Sequence, residues 1–142
     1  MKKIAVSLCL FLSLFTLMAG NAPDAIQKEF DQRFPGASDV IWERESPKGW
    51  IAEFVWNGQN IVANYSFAGA WVETKTQIQA DELPDAVKET INSFYPDWKV
   101  VVVHKIENAK NETLYKTAIQ KESKLQEIVL KPEGTLFMVG ME

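Results

Sequence analysis

The sequence predicts an α+β fold: two tandem repeats, each a helix followed by an antiparallel meander of strands, form one antiparallel sheet with both helices packed on one face. Three observations predict it. A proline-bounded helical pattern occurs twice, strand-like alternation follows each copy, and nearly constant offsets align the copies. Because only two helices are available, the other face of the sheet should be open to solvent.

The N-terminus has the layout of a secretory signal peptide. Lys2 and Lys3 precede an apolar stretch, residues 4–18, which ends at the small residues Ala19 and Gly20. The stretch is shorter than the ~20 residues of a membrane-spanning helix, and no later segment is long and apolar enough to span. We therefore predict a signal peptide over residues 1–20, a single mature domain over residues 21–142, and a periplasmic or secreted location without a membrane anchor.

The composition of the mature chain argues against most kinds of catalytic or cofactor site. Loss of Lys2 and Lys3 changes the net charge from −4 to −6, which disfavours binding to nucleic acid. The only cysteine, Cys9, is also removed, so no thiol is left for a disulfide, a nucleophile or a soft metal. The single histidine, His104, has no serine or carboxylate near it in sequence to suggest a catalytic partner. We predict a protein that is not an enzyme and has no metal site and no cofactor.

The two helices are predicted by one repeated pattern. The tripeptide Pro-Asp-Ala occurs at residues 23–25 and again at 84–86, and at the same offset of 61 Phe30 matches Ile91 and Pro35 matches Pro96. Apolar residues in each copy fall at helical spacing, and a proline can occupy the first turn of a helix but ends it when placed later. We expect helices at about 23–34 and 84–95, in repeats of about 23–78 and 84–140.

The strands of the first repeat are predicted by alternation around Asn57-Gly58, a strong hairpin signal because both residues tolerate a positive φ. A two-residue turn there sets Trp50 opposite Tyr65 and Phe54 opposite Ile61, on the face that meets the helices. If residues 47–49 form a three-residue turn, Trp42 lies opposite Phe54. We expect these aromatic side chains to form the core.

The second repeat follows the same plan after a short insertion. With the offset raised to 65, Trp50 matches Tyr115 and Gly69 matches Gly134. The predicted strands of this repeat are residues 99–107, 113–121, 124–131 and 135–140. The last of them is expected to be an unprotected sheet edge that is able to pair with another chain, while the oligomeric state is left open.

The last strand of the first repeat decides which residues occupy the open face. If Ala68-Gly69 is a two-residue turn, Trp71 points outward, whereas a three-residue turn with Gly69 in the left-handed conformation turns Trp71 into the core. We adopt the outward orientation. The predicted partner-binding residues are then Trp71, Glu73, Lys75, Asn64, Val62, Ile51 and Glu53. Their mixture of apolar, amide and charged groups around an indole is typical of a protein-binding surface.

These residues resemble the PepSY-like family of bacterial periplasmic proteins. The resemblance is carried by Phe-Pro-Gly-Ala at residues 34–37, Trp-Ile-Ala at 50–52, Tyr65 followed by Gly-Ala-Trp at 69–71, and the prolines at 84 and 96. It implies a fold similar to that of the β-lactamase inhibitor protein, a periplasmic or secreted location, and a role in binding or inhibiting enzymes such as peptidases. The cysteines of that inhibitor are absent, so inhibition of β-lactamase itself is not implied.

We therefore expect an exported, non-enzymatic binding module that engages a protein or peptide partner with its open sheet face. An alternative is a small-ligand carrier or enzyme with a pocket between helices and sheet, lined by Trp42, Trp50 and Tyr65. A structural role within a larger envelope assembly is a third hypothesis.

Overall fold

The computed structural model describes residues 17–141, with side chains described for residues 20–140. Most of the predicted signal peptide, including Lys2, Lys3 and Cys9, lies outside the described residues. Over the part that is described, no helix is long and apolar enough to cross a membrane.

Within residues 17–141, nine antiparallel strands form one sheet in which the order of the strands is their order in the sequence. The helices are α1 (Asp24–Arg33) and α2 (Asp85–Phe94). The strands are β1 (Leu17–Ala19), β2 (Ser38–Glu45), β3 (Gly49–Trp56), β4 (Gln59–Ser66), β5 (Trp71–Ile78), β6 (Lys99–Asn108), β7 (Thr113–Lys121), β8 (Lys124–Leu130) and β9 (Leu136–Met141). The predicted fold class is confirmed. Because β1 lies inside the predicted signal peptide, cleavage after Ala19 or Gly20 would leave a sheet of eight strands.

Both helices begin and end as the repeated pattern predicts. Pro23 and Pro84 are the N-cap residues, and their φ angles of −52° and −55° show that the two helices start in the same way. At the other end, the backbone N–H of Phe34 donates to the carbonyl of Phe30 at 2.8 Å, and the next residue is a proline, which cannot donate the next helical hydrogen bond. Tyr95 and Ile91 form the same hydrogen bond at 2.8 Å in the second repeat.

The core is divided into two clusters, one beneath each helix. The first contains Ile26 and Phe30 of α1 with residues of the first meander, and the second contains Val87 and Ile91 of α2 with residues of the second. The expected core role of the aromatic side chains is confirmed, since Phe30 lies 4.7 Å from Phe54 and 5.2 Å from Trp42 between ring centroids. Each helix therefore covers only its own repeat.

The predicted strand register is correct for the β3–β4 hairpin, but for the preceding β2–β3 hairpin it differs from the observed register. Trp50 pairs with Tyr65 and Phe54 with Ile61 across the Asn57-Gly58 turn, where both residues have a positive φ, as expected. The prediction that Trp42 lies opposite Phe54 is wrong, because Glu45 pairs with Gly49 and Trp42 therefore pairs with Ala52. The shift is two residues, so Trp42 stays on the helix side of the sheet.

Candidate functional site

Six of the seven predicted partner-binding residues share the open face of the sheet. They are Ile51 and Glu53 of β3, Val62 and Asn64 of β4, and Glu73 and Lys75 of β5. Two rows cross the strands: Glu53 pairs with Val62 and Val62 with Lys75, while Ile51 pairs with Asn64 and Asn64 with Glu73. Their alternation with buried residues on the same strands places them opposite the helices.

A small polar network crosses two strands of this face. The amide of Asn64 donates through Nδ2 to Oε1 of Glu73 at 3.1 Å, and Nζ of Lys75 lies 3.1 Å from the same oxygen. Oδ1 of Asn64 is buried and accepts no hydrogen bond from the described residues. A buried acceptor without a donor is costly, so a donor from a partner would be favoured at this point.

The open face contains two neighbouring depressions that share Glu53, Val62 and Lys75. One has a volume of about 390 Å³ and extends over Ile51, Asn64 and Glu73 toward the β2–β3 turn. The other has a volume of about 270 Å³ and extends toward His104 of β6. The three shared residues therefore lie at the centre of the surface.

The face continues into the second repeat with a different chemistry. Ile106 pairs with Lys75 and is only 8% exposed although no helix covers it, and His104 pairs with Gln77 and Lys116. Burial, together with the positive charges of Lys116 and Lys75, lowers the pKa of His104 below its ordinary value. The ring is therefore held neutral over a wider pH range than that of a free histidine.

The predicted outward orientation of Trp71 is wrong. The backbone N–H of Gly69 donates to the carbonyl of Ser66 at 3.0 Å, Ser66 N–H donates to the carbonyl of Ala70 at 2.8 Å, and Gly69 has a φ of 89°. These contacts define a three-residue turn, so Tyr65 pairs with Trp71. The register then shifts, and Asn64 pairs with Glu73.

Trp71 consequently packs on the helix side of the sheet. Its Nε1 donates to Oγ1 of Thr74 at 2.9 Å, and the guanidinium carbon of Arg33 lies 4.1 Å from the centre of its ring. The neighbouring Val72 is 44% exposed and lines the larger depression of the open face. The register shift changes the faces of only Trp71 and Val72, so Glu73 and Lys75 keep their predicted outward positions.

A larger cleft lies on the helix side, between the two repeats. It has a volume of about 790 Å³ and is lined by Trp56, Trp71 and Tyr115 together with polar and charged residues of β5 and β6. It exists because each helix covers its own core and neither covers the junction. The expected alternative pocket lined by Trp42, Trp50 and Tyr65 is not formed. These side chains pack in or against the first core cluster, and Tyr65 is 1% exposed.

Sequence reasoning missed three contributors to the open face: Val72, His104 and Ile106. Val72 could have been found from the three-residue turn that the sequence allowed around Gly69. His104 and Ile106 lie on a strand rich in valine, where the irregular register between Val100 and Val102 hides the alternation. The structure shows the same turn in the second repeat, where Gly134 has a φ of 87° and the same turn hydrogen bonds.

The chain is similar to several solved structures from Bacteroides. A DUF2874 family protein from Bacteroides uniformis has a TM-score of 0.79 and 21% identity, over 84% of this chain and 89% of that chain. A candidate periplasmic protein from Bacteroides eggerthii has a TM-score of 0.79 and 22% identity, over 85% and 89% of the two chains. A BLIP-like protein from Bacteroides fragilis has a TM-score of 0.75 and 22% identity, over 85% and 88%.

These similarities confirm the predicted fold resembling that of the β-lactamase inhibitor protein. No protein-family model and no curated protein matches the chain, so the resemblance to the PepSY-like family stays a prediction.

Proposed function

We propose that this chain is an exported, non-enzymatic binding protein that holds a protein or peptide partner on the open face of its sheet. One observation carries the proposal: both helices pack on one side, and the other side contains two depressions centred on Glu53, Val62 and Lys75. A mixture of apolar, charged and amide groups of this kind is typical of protein-binding surfaces.

Charge indicates which partner chemistry this face would favour. Four glutamates occupy its first half, namely Glu43, Glu45, Glu53 and Glu73. Glu45 is paired with Lys48 at 3.4 Å and Glu73 with Lys75 at 3.1 Å, so the surplus of negative charge lies at Glu43 and Glu53. We infer a partner segment that presents basic side chains next to apolar ones, with an association rate that falls as salt is added.

The location and the partner class rest on similarity as well as on the sequence. The signal-peptide pattern supports export, and the similar protein from Bacteroides eggerthii is described as a candidate periplasmic protein. The similar protein from Bacteroides fragilis is described as BLIP-like, which supports a non-enzymatic, inhibitor-like role. Envelope enzymes such as peptidases are therefore the first partner class to test.

The test uses the mature protein, residues 21–142, as bait in an envelope extract. Val62→Arg places a long charged side chain at the centre of the open face, and Phe94→Arg is the matched control because Phe94 of α2 is 69% exposed on the helix side. We expect a partner that the wild type and Phe94→Arg retain and that Val62→Arg binds at least about tenfold more weakly. Equal retention by both variants would contradict the proposal.

A second candidate function is small-ligand binding in the cleft between the repeats. It is favoured by the volume of about 790 Å³ and by the aromatic side chains of Trp56, Trp71 and Tyr115. Thr76→Trp would fill this cleft from its floor without changing the open face. Native mass spectrometry of the purified protein should then show a bound molecule in the wild type that Thr76→Trp lacks, and its absence from the wild type would argue against this function.

A further inference from the structure

The two edges of the sheet differ in their protection against pairing with another strand. In the predicted mature chain, which lacks β1, one edge is β2; this strand carries Glu43, Arg44 and Glu45, and its register is irregular between Ser38 and Ile41, where Asp39 has a φ of 54°. At the other edge, β9 has the sequence Leu-Phe-Met-Val-Gly-Met, with no charge and no proline. Charges and bulges are the devices that protect edge strands, and β9 lacks the first of them.

Strand β9 also exposes a continuous apolar run. Phe137 is 50% exposed, Met138 is 58% exposed and Val139 is 45% exposed. Single exposed apolar residues are ordinary on a protein surface, but three in succession on an edge strand indicate a surface that another molecule covers.

We propose that a second copy of this chain pairs with β9 in an antiparallel arrangement across a two-fold axis, so that two sheets join into one. Such an axis sets each residue of β9 opposite a residue of the same strand, and any charge in the strand would be brought close to its own copy. The neutral sequence of β9 meets this condition. The charged sequence of β2 does not, which disfavours the same two-fold pairing at the other edge.

The faces of the sheet restrict the register of this pairing. Met138 and Gly140 lie on the open face, opposite Val129 and Glu127, whereas Val139 lies opposite the buried Ile128 on the helix side. Residues opposite each other in an antiparallel pair share a face. We therefore place Val139 opposite Val139 of the second copy and Met138 opposite its Gly140, where the absence of a side chain leaves room for the thioether.

Cross-linking tests this register directly in the mature chain, which has no other cysteine because Cys9 lies in the predicted signal peptide. Val139→Cys should form a disulfide-linked dimer on mild oxidation, since the two thiols face each other across the axis. Ile41→Cys is the matched control, because Ile41 is 56% exposed at the opposite edge. A monomer with Val139→Cys, or multimers with Ile41→Cys, would overturn the proposal.

A second variant measures the interface without a cross-link. Met138→Lys brings positive charges to the joined edges, so the dissociation constant of the dimer should rise at least about tenfold. Ile41→Lys should leave it unchanged. Light scattering during size-exclusion chromatography gives the mass, and circular dichroism checks that both variants fold. A wild type that stays monomeric at all concentrations, or that grows beyond a dimer, would refute β9 pairing between two copies.

Discussion

Replacing Gly134 by alanine should destabilise the protein more than the same change at Gly69, its equivalent in the first repeat. Both glycines close the turn before the last strand of a repeat, with φ angles of 87° and 89°. An L-residue in this left-handed conformation costs roughly 1–2 kcal/mol, so this part of the loss is common to both variants.

The two sites differ in what the new methyl group would meet. A Cβ at position 134 would lie 2.5 Å from the carbonyl oxygen of Ala86 and 2.7 Å from Oγ1 of Thr90, both in α2. The Thr90 hydroxyl also donates to the carbonyl oxygen of Gly134 at 2.8 Å, so separating the turn from the helix would weaken this hydrogen bond. At position 69 the nearest atom is Cγ1 of Ile26 at 3.7 Å, an ordinary contact.

Overpacking of this kind costs a further ~1–3 kcal/mol. We therefore expect the free energy of unfolding to fall by about 1–2 kcal/mol in Gly69→Ala and by about 2–5 kcal/mol in Gly134→Ala. Urea unfolding with linear extrapolation measures both values. Far-ultraviolet circular dichroism is the better probe, because four of the five tryptophans lie in the first repeat and their fluorescence would report mainly on that repeat.

Equal losses in the two variants, within about 0.5 kcal/mol, would refute the reasoning, because they would show that the close approach of α2 to the second turn has no energetic effect. A larger loss in Gly69→Ala would contradict it more strongly. Unfolding curves from dichroism and fluorescence should coincide if the two core clusters unfold together.

Three further changes test individual side chains. Trp71→Ala should lower the free energy of unfolding by about 2 kcal/mol, because the indole packs against the first core cluster and donates a hydrogen bond to Thr74. A loss below about 0.5 kcal/mol in urea unfolding would mean that Trp71 is not part of that packing. Thr117→Val should raise stability by about 1 kcal/mol, since Thr117 is 0% exposed and its hydroxyl has no hydrogen-bond partner among the described residues; a loss measured in the same assay would show that the hydroxyl is satisfied. His104 has a lowered pKa in the folded protein, so below the ordinary value of 6.5 the unfolded state binds more protons, and stability should fall as the pH decreases toward the folded pKa. His104→Gln should remove this part of the pH dependence. Thermal unfolding of the wild type and the variant below pH 6.5 measures it, and the same pH dependence in both would show that another group is responsible.

Much of the candidate surface was predictable because alternation is a local property of a strand. Once the Asn57-Gly58 turn set the pairing of β3 with β4, the outward positions of Ile51, Glu53, Val62 and Asn64 followed. The outward positions of Glu73 and Lys75 were also predicted correctly, because the register shift in β5 lies before these residues. The shift itself depends on whether Gly69 joins a two-residue or a three-residue turn, and the sequence permits both.

By itself, the sequence determined the duplication, the bounds of the helices and the two faces of most strands, because these depend on proline positions, apolar periodicity and turn residues that act over a few residues. The tertiary structure decided the side on which Trp71 lies, through its contact with Arg33 and its packing against the first core cluster, and it separated the core into two clusters with a cleft between them. Those outcomes depend on contacts between residues far apart in the chain, and no local pattern contains them.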